Sequence, residues 1–254
     1  MFKTLPNNNL ATGAHYFIEG VNLLRRKELR LYILVPLVVN VIIFITLTSL
    51  FMAYFSGAMA WLFDYVPSFL DFLKWILWPL IGAFFLLCYG YVFNTITNIV
   101  AAPFYGFIAQ KTEELITGVA PPDEPLPQLI PRVISREVQK LLYFIGRGLL
   151  VLVLMLVLGF IGITSPLVPI IGALWGAWCM SIQYVDYACD NNQLDFLPMR
   201  KRLRENIYSS TGFGGMVMLA SMIPIVNIFA MPAAVTGGTA FWIKELKWQA
   251  PVKL

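Results

Sequence analysis

Gly159-Phe160-Ile161-Gly162-Ile163-Thr164-Ser165-Pro166-Leu167-Val168-Pro169 lies near the middle of a stretch, Gly148–Val185, that contains no aspartate, glutamate, lysine or arginine. A second break, Met222-Ile223-Pro224-Ile225-Val226-Asn227, lies near the middle of another uncharged stretch, Asn206–Ile243. Glycine, serine, asparagine and proline together end a helix and supply a turn. Each stretch is therefore expected to fold back on itself as a helical hairpin, over 148–185 and 206–243. The outgoing arms are read as roughly Gly148–Leu158, or Tyr143–Leu158 with an earlier start, and Phe213–Ile223. Arms of about 11–16 residues reach only about 17–24 Å, short of the roughly 30 Å hydrocarbon layer. The expectation is two re-entrant, partly inserted hairpins, whose tips need protein or water over their broken backbone.

Two further stretches, Leu31–Phe63 and Trp75–Gln110, are also free of charge and exceed the length of a membrane crossing. Pro36 falls in the first turns of one, where proline is tolerated, and no proline interrupts Leu80–Ala102 in the other. Both are read as long transmembrane helices, 31–63 and 75–110. The composition agrees: of 254 residues 59% are hydrophobic and 13% charged, with a mean hydropathy of +0.73. Soluble domains are about 45–50% apolar and about 25% charged. The fold class is therefore an all-α integral membrane protein with a single membrane domain over 1–254. It has two long transmembrane helices, two re-entrant hairpins and amphipathic surface helices. Residues 1–30 are polar to mixed, unlike the short apolar core of a signal peptide, so the N-terminus is expected to be kept.

The surface helices come from periodicity. Over 10–24, Leu10, Ala14, Phe17, Ile18, Val21 and Leu24 follow helical spacing. Over 128–147, Leu129, Ile130, Val133, Ile134, Val138, Leu141 and Leu142 do the same, while Arg132, Arg136 and Lys140 line another face. Both are expected to lie on the membrane. The proline-rich Pro121–Pro131 reads as an extended connector. With two crossings and two hairpins, every lysine and arginine except Lys74 falls on one side, which the positive-inside rule makes cytoplasmic. Asp64–Lys74 becomes the periplasmic turn.

No residue pattern suits an enzyme, a metal site, a cofactor or nucleic acid. A Ser-His-Asp arrangement, HExxH, a phosphate loop and a dinucleotide glycine pattern are all missing. Cys88, Cys179 and Cys189 form no framework, and His15 is the single histidine. The polar features point to ion handling. Arg25-Arg26-Lys27-Glu28-Leu29-Arg30 directly precedes the first long helix, where helix-end amides and arginine forks favour an oxyanion. The competing reading is a topological anchor. Asn94 and Asn98, one helical turn apart, form a possible polar path with Thr164 and Ser165 at the first tip and Asn227 at the second; helix-to-helix hydrogen bonding is the other reading. Asp186, in Gln183-Tyr184-Val185-Asp186-Tyr187 before Asp190-Asn191, is expected to cap its helix or pair with the Arg200–Arg204 cluster, with proton coupling as the functional alternative.

Several segments carry a family resemblance. They are Leu29-Arg30 with Val35-Pro36-Leu37, and Ala101-Ala102-Pro103-Phe104-Tyr105-Gly106 with Thr117-Gly118. The others are Ile182–Tyr187 with Asp190-Asn191, and Met222–Pro232. In this order the chain resembles the CysZ-type sulfate permeases of bacteria. The resemblance implies a multi-pass inner-membrane protein that brings in sulfate for cysteine synthesis. It also implies partly penetrating hairpins and a homo-oligomer in the lipid bilayer. In that family a Gly-Leu-Arg segment at the start of the first long helix is associated with sulfate binding. Here the segment reads Glu28-Leu29-Arg30, so Leu29 and Arg30 carry over, Glu28 departs, and Arg25 and Arg26 join on the charge argument. The expected function is a sulfate transporter or channel that hydrolyses no ATP. The alternative is a non-transporting scaffold that recruits cytoplasmic partners through Arg132, Arg136 and Lys140.

Overall fold

The computed structural model describes residues 8–65, 71–122 and 124–247. Lys3, Lys253 and the centre of the turn expected over 64–74 lie outside them. The described chain is helical throughout: α1 (Leu10–Leu23), a 3-10 turn (Lys27–Leu29), α2 (Arg30–Asp64), α3 (Asp71–Thr117), α4 (Leu126–Phe160), α5 (Leu167–Asn191), α6 (Phe196–Glu205), α7 (Ile207–Ser221) and α8 (Pro224–Phe241). A π-helical turn, Trp242–Leu246, extends α8. Four of these helices contain spans long and apolar enough to cross a membrane: Val38–Asp64, Lys74–Thr97, Leu126–Phe160 and Leu167–Asn191.

The chain divides into two compact units, one of them Val35–Ala101. Within it the bodies of α2 and α3 run antiparallel. Phe44 meets Phe93 (ring centroids 5.9 Å), Phe51 meets Tyr89 (4.9 Å) and Phe55 meets Phe85 (6.0 Å). The Thr48 and Tyr89 hydroxyls share a hydrogen bond of 2.6 Å, so these two groups satisfy one another. The helices are apolar all round, and Leu50, Phe84, Leu86 and Leu87 are exposed. An unpartnered apolar surface of this kind suits lipid. Trp61, Trp75 and Trp78 gather at the end where α2 finishes and α3 begins, as interfacial aromatics do.

The other unit comprises Met1–Leu34 and Ala102–Leu254. Its core is built where α1, α5, α7 and α8 approach one another through small residues. A Cβ on Gly214 of α7 would overlap the Ala177 carbonyl of α5, and one on Gly20 of α1 would overlap the Ala233 carbonyl of α8. Lipid offers no hydrophobic gain for pairing apolar helices, so close backbone approach is what holds such an interface. Hydroxyls tie the same seams: Ser181 donates to the Ser210 carbonyl and Thr236 to the Gly20 carbonyl. The Tyr16 hydroxyl donates to Glu245 (2.7 Å), and Lys244 pairs with Glu19 (2.6 Å). Burial, reinforced by the bond to Glu245, holds the Tyr16 phenol well above its usual range, so it remains a donor.

The breaks at 159–169 and 222–227 both turn the chain. Gly162 adopts φ +66°, a conformation open to glycine at little cost, and the Thr164 hydroxyl caps the Leu158 carbonyl (2.6 Å). The arms differ from the sequence reading. The surface helix expected over 128–147 and the arm expected from Gly148 are one continuous helix, α4, of 35 residues. Pro131 lies inside it, so the extended connector stops before Leu126 instead of reaching Pro131. Pro127, at the second position, lacks only an amide that the helix start leaves unused, whereas Pro131, the sixth residue, gives up one internal hydrogen bond, to the Pro127 carbonyl. The arms of the second hairpin are short, 15 and 18 residues, or about 22 and 27 Å. α3 continues past Gln110 to Thr117.

The amphipathic faces also fall differently. α1 buries Gly13, Tyr16, Phe17 and Gly20, while Leu10, Ile18 and Val21 are exposed. α4 buries Val133, Arg136, Glu137 and Lys140, and exposes Ile130, Ile134, Val138 and Leu142. Arg136 and Lys140, expected on a solvated face, thus face inward. The glycine contacts give a direct check. Gly214→Ala should lower the thermal unfolding midpoint in detergent, at a cost of about 1–3 kcal/mol. Gly215→Ala, where a Cβ meets open space, should leave the midpoint unchanged or slightly raised.

Candidate functional site

The chain leaves α1 through a tight turn in which the Arg26 amide donates to the Leu23 carbonyl (3.0 Å). Arg26 is extended (φ −65°, ψ 130°) and stands at the cap of the 3-10 turn that leads into α2. The Leu29 amide donates to the Arg26 carbonyl and the Arg30 amide to the Lys27 carbonyl. The amides of Lys27 and Glu28 have no acceptor among the described residues. They form the open, electropositive end of a helix. Leu29 is fully buried and pins this end to its unit, while Arg25, Arg26, Lys27, Glu28 and Arg30 are exposed around it. Four cationic residues, the Glu28 carboxylate and the two amides thus lie within six consecutive positions.

The polar path residues are placed separately. Asn94 is exposed on α3 within Val35–Ala101, and the Asn98 side chain lies outside what the structure describes. In the same unit, Asn40 Oδ1 and Thr97 Oγ1 are buried without a hydrogen-bond partner among the described residues. They fall one helical turn beyond the Phe44–Phe93 contact on their respective helices. In the other unit, Thr164 is committed to its turn and Ser165 is exposed beside it. Asn227 is half-buried in the first turn of α8, with its amide bonded to the Ile223 carbonyl (2.8 Å).

A polar centre the sequence did not assemble lies between α4 and α5. Arg136 binds Asp186 Oδ1 through Nε (2.9 Å) and Nη2 (2.7 Å), and also donates to the Leu194 carbonyl. Lys140 lies 2.5 Å from Glu137 Oε1 and 3.4 Å from Asp186 Oδ2, with the Tyr187 ring 4.5 Å away. Arg132 joins Asp190 (2.5 Å) to Glu124 (2.6 Å). Asn191 donates to the Gly106 carbonyl of α3 (2.7 Å). Glu113 accepts from Asn192 and Lys247. A cavity of about 10 Å³ sits among Gly106, Arg136, Glu137, Asp186 and Asn191, close to the space of one water. Asp186 therefore pairs with Arg136 and Lys140 of α4. The expected partners lie elsewhere: Arg202 donates to the Leu246 carbonyl and Arg200 stacks on aromatic rings.

Glu137 and Glu113 escaped the sequence reading, although a signal existed. Charges on a helix whose opposite face is lipid-like turn toward the protein interior, and α4 carries Arg136, Glu137 and Lys140 opposite Ile134 and Val138. Asp186→Ala should destabilise the protein by about 3–5 kcal/mol, because two buried cations would share one remaining carboxylate. Glu114→Gln, which breaks the half-exposed Lys111 pair, should cost under about 1 kcal/mol. Thermal unfolding of both variants checks this.

Comparison with known proteins agrees with this architecture. Residues 16–232 match the family described as sulfate transporter CysZ/etoposide-induced protein 2.4. A protein named sulfate transporter CysZ from Pseudomonas aeruginosa is 40% identical over 246 residues, covering 95% of this chain and 98% of its own. Proteins of the same name from Pseudomonas fluorescens and Salmonella enteritidis are 38% and 37% identical, covering 92% and 91% of this chain and 94% and 92% of their own. Near full-length similarity on a chain with four membrane-length apolar helices makes this a multi-pass inner-membrane protein that belongs to the sulfate transporter CysZ/etoposide-induced protein 2.4 family.

Proposed function

We propose that the chain carries sulfate across the inner membrane, without ATP hydrolysis of its own, and supplies it for cysteine synthesis. The observation that carries this reading is the open start of the 3-10 turn before α2. There the free amides of Lys27 and Glu28 stand among exposed Arg25, Arg26, Lys27 and Arg30. A dianion loses hydration on leaving water, and amides and guanidinium forks replace it with charge-assisted hydrogen bonds. The relatives' printed name, sulfate transporter, supplies the choice of anion.

The route is the second part of the proposal. α4 turns its charged face inward and its apolar face outward, which supports a polar interior within lipid. The unpartnered Asn40 and Thr97 oxygens are places where water would complete the hydrogen bonding in the α2–α3 unit. Asn94, Asn98, Thr164, Ser165 and Asn227 are the further polar groups proposed for the path. The hairpin tips support partial insertion: Phe160 and Ile163 are each 89% exposed, and Met222 is 69% exposed. Such tips suit lipid or a second copy of the chain better than open water. A homo-oligomer would cover them and complete a conduit. The scaffold reading loses much of its basis, since Arg136 and Lys140 are buried and unavailable to a partner.

Purified protein in liposomes should pass labelled sulfate at a rate above empty liposomes. The combined substitution Arg26→Ala, Arg30→Ala should reduce sulfate affinity at least about fivefold, the loss expected from two charge-assisted contacts at an exposed site. Absence of flux from wild-type protein would overturn the transport reading, and unchanged affinity in the variant would remove the helix start as the site.

A further inference from the structure

Arg200 is bound differently from Arg132, Arg136 and Arg202. Arg132 and Arg136 hold carboxylates, and Arg202 donates to the carbonyls of Leu246 and Lys247. Arg200 has no carboxylate partner among the described residues. Its guanidinium lies over the Tyr143 ring (4.3 Å) and the Phe196 ring (4.7 Å), and its Nε is buried without an acceptor. The two rings meet at 5.8 Å and 82°, forming a corner that orients the guanidinium. The Tyr143 phenol is itself held, accepting from Trp178 Nε1 (3.1 Å). The corner therefore fixes a cation in place and leaves its hydrogen-bonding edge uncommitted.

The surroundings add charge and a boundary. Arg147 is one turn beyond Tyr143 on the same face of α4, exposed and without an ion pair among the described residues. Arg204, one turn beyond Arg200 on α6, is also exposed. Asp195 and Glu205, the acidic residues of this region, are exposed and form no ion pair with any of the three. Arg147 is the last charged residue of α4, and beyond it Leu149, Leu150, Leu152 and Val153 are exposed. A ring-backed arginine and an exposed one, neither holding a carboxylate, at the point where the charges of a membrane helix end, suit the depth of lipid phosphates.

We propose that Arg147 and the ring-stacked Arg200 form a binding site for the phosphate of an anionic phospholipid, whose acyl chains lie along Leu149, Leu150, Leu152 and Val153. Charge complementarity selects an anionic headgroup, and the adjoining aliphatic strip selects a lipid over a free oxyanion.

Native mass spectrometry of the full-length protein in neutral detergent, titrated with phosphatidylglycerol or phosphatidylcholine, tests the site. Wild-type protein should bind phosphatidylglycerol more tightly than phosphatidylcholine, and the combined Arg147→Gln, Arg200→Gln variant should lose about tenfold in phosphatidylglycerol affinity. Arg147→Gln alone changes an exposed side chain, and it should lose a few-fold with an unchanged thermal melt. Equal affinity for the two lipids, or unaltered phosphatidylglycerol binding in both variants, would overturn the proposal. Displacement of phosphatidylglycerol by inorganic sulfate in wild-type protein would also overturn it, by reassigning the corner to a free anion.

Discussion

Asp186 sits between two cations of a neighbouring helix, in a region where the outer helix face is exposed aliphatic side chain. That pairing is the constraint on which the α4–α5 hairpin depends. A carboxylate or an ammonium ion without a partner in a low-dielectric setting costs several kcal/mol, so the charges must meet each other inside the protein. Arg136 and Lys140 satisfy Asp186, Glu137 satisfies Lys140, and Asp190 with Glu124 satisfies Arg132. The register of α4 against α5 is set by these pairs. The same register places Met155 beside Gly172 and Val168 beside Gly159 near the turn.

The helices that carry no such charges are held by a different device. α1 approaches α7 and α8 through Gly13, Gly20, Gly212 and Gly237, and α7 approaches α5 through Gly214, with side chains absent where carbonyl oxygens of the neighbouring helix pass. The aliphatic side chains of α1 are left for the outside. This division is the reverse of a soluble protein, where aliphatic residues drive the interior. In lipid the small and polar residues make the interface, because aliphatic contacts are equally available from the surroundings.

Local and tertiary effects combine at the start of α2. The 3-10 turn uses the amides of Leu29 and Arg30 internally and leaves those of Lys27 and Glu28 open. The buried Leu29 side chain fixes this arrangement. The cations around it remain in solvent. The interior pairs of α4 and α5 are closed ionic contacts with little space between them. The start of α2 is thus open and basic, while the α4–α5 charges are closed into ionic pairs.

The amino-acid sequence alone determined that this is an all-α membrane protein. Uncharged stretches, the two Gly/Pro/Asn breaks and the bias of lysine and arginine are local features, and local hydropathy decides whether a segment leaves water. The same local reading located Leu29-Arg30 at a helix start and the two turns at 159–169 and 222–227. Tertiary structure decided which face of each helix points inward. Periodicity over 10–24 and 128–147 identifies two faces but does not label them, since lipid reverses the usual preference. Arg136 and Lys140 consequently read as solvated when taken alone. Their partners, Asp186 on α5 and Glu137 beside them, acquire meaning only when the hairpin closes. The fusion of the surface helix and the hairpin arm into one α4 was likewise decided by packing, because Arg136 and Lys140, which read as part of a surface helix, are neutralised within the fold.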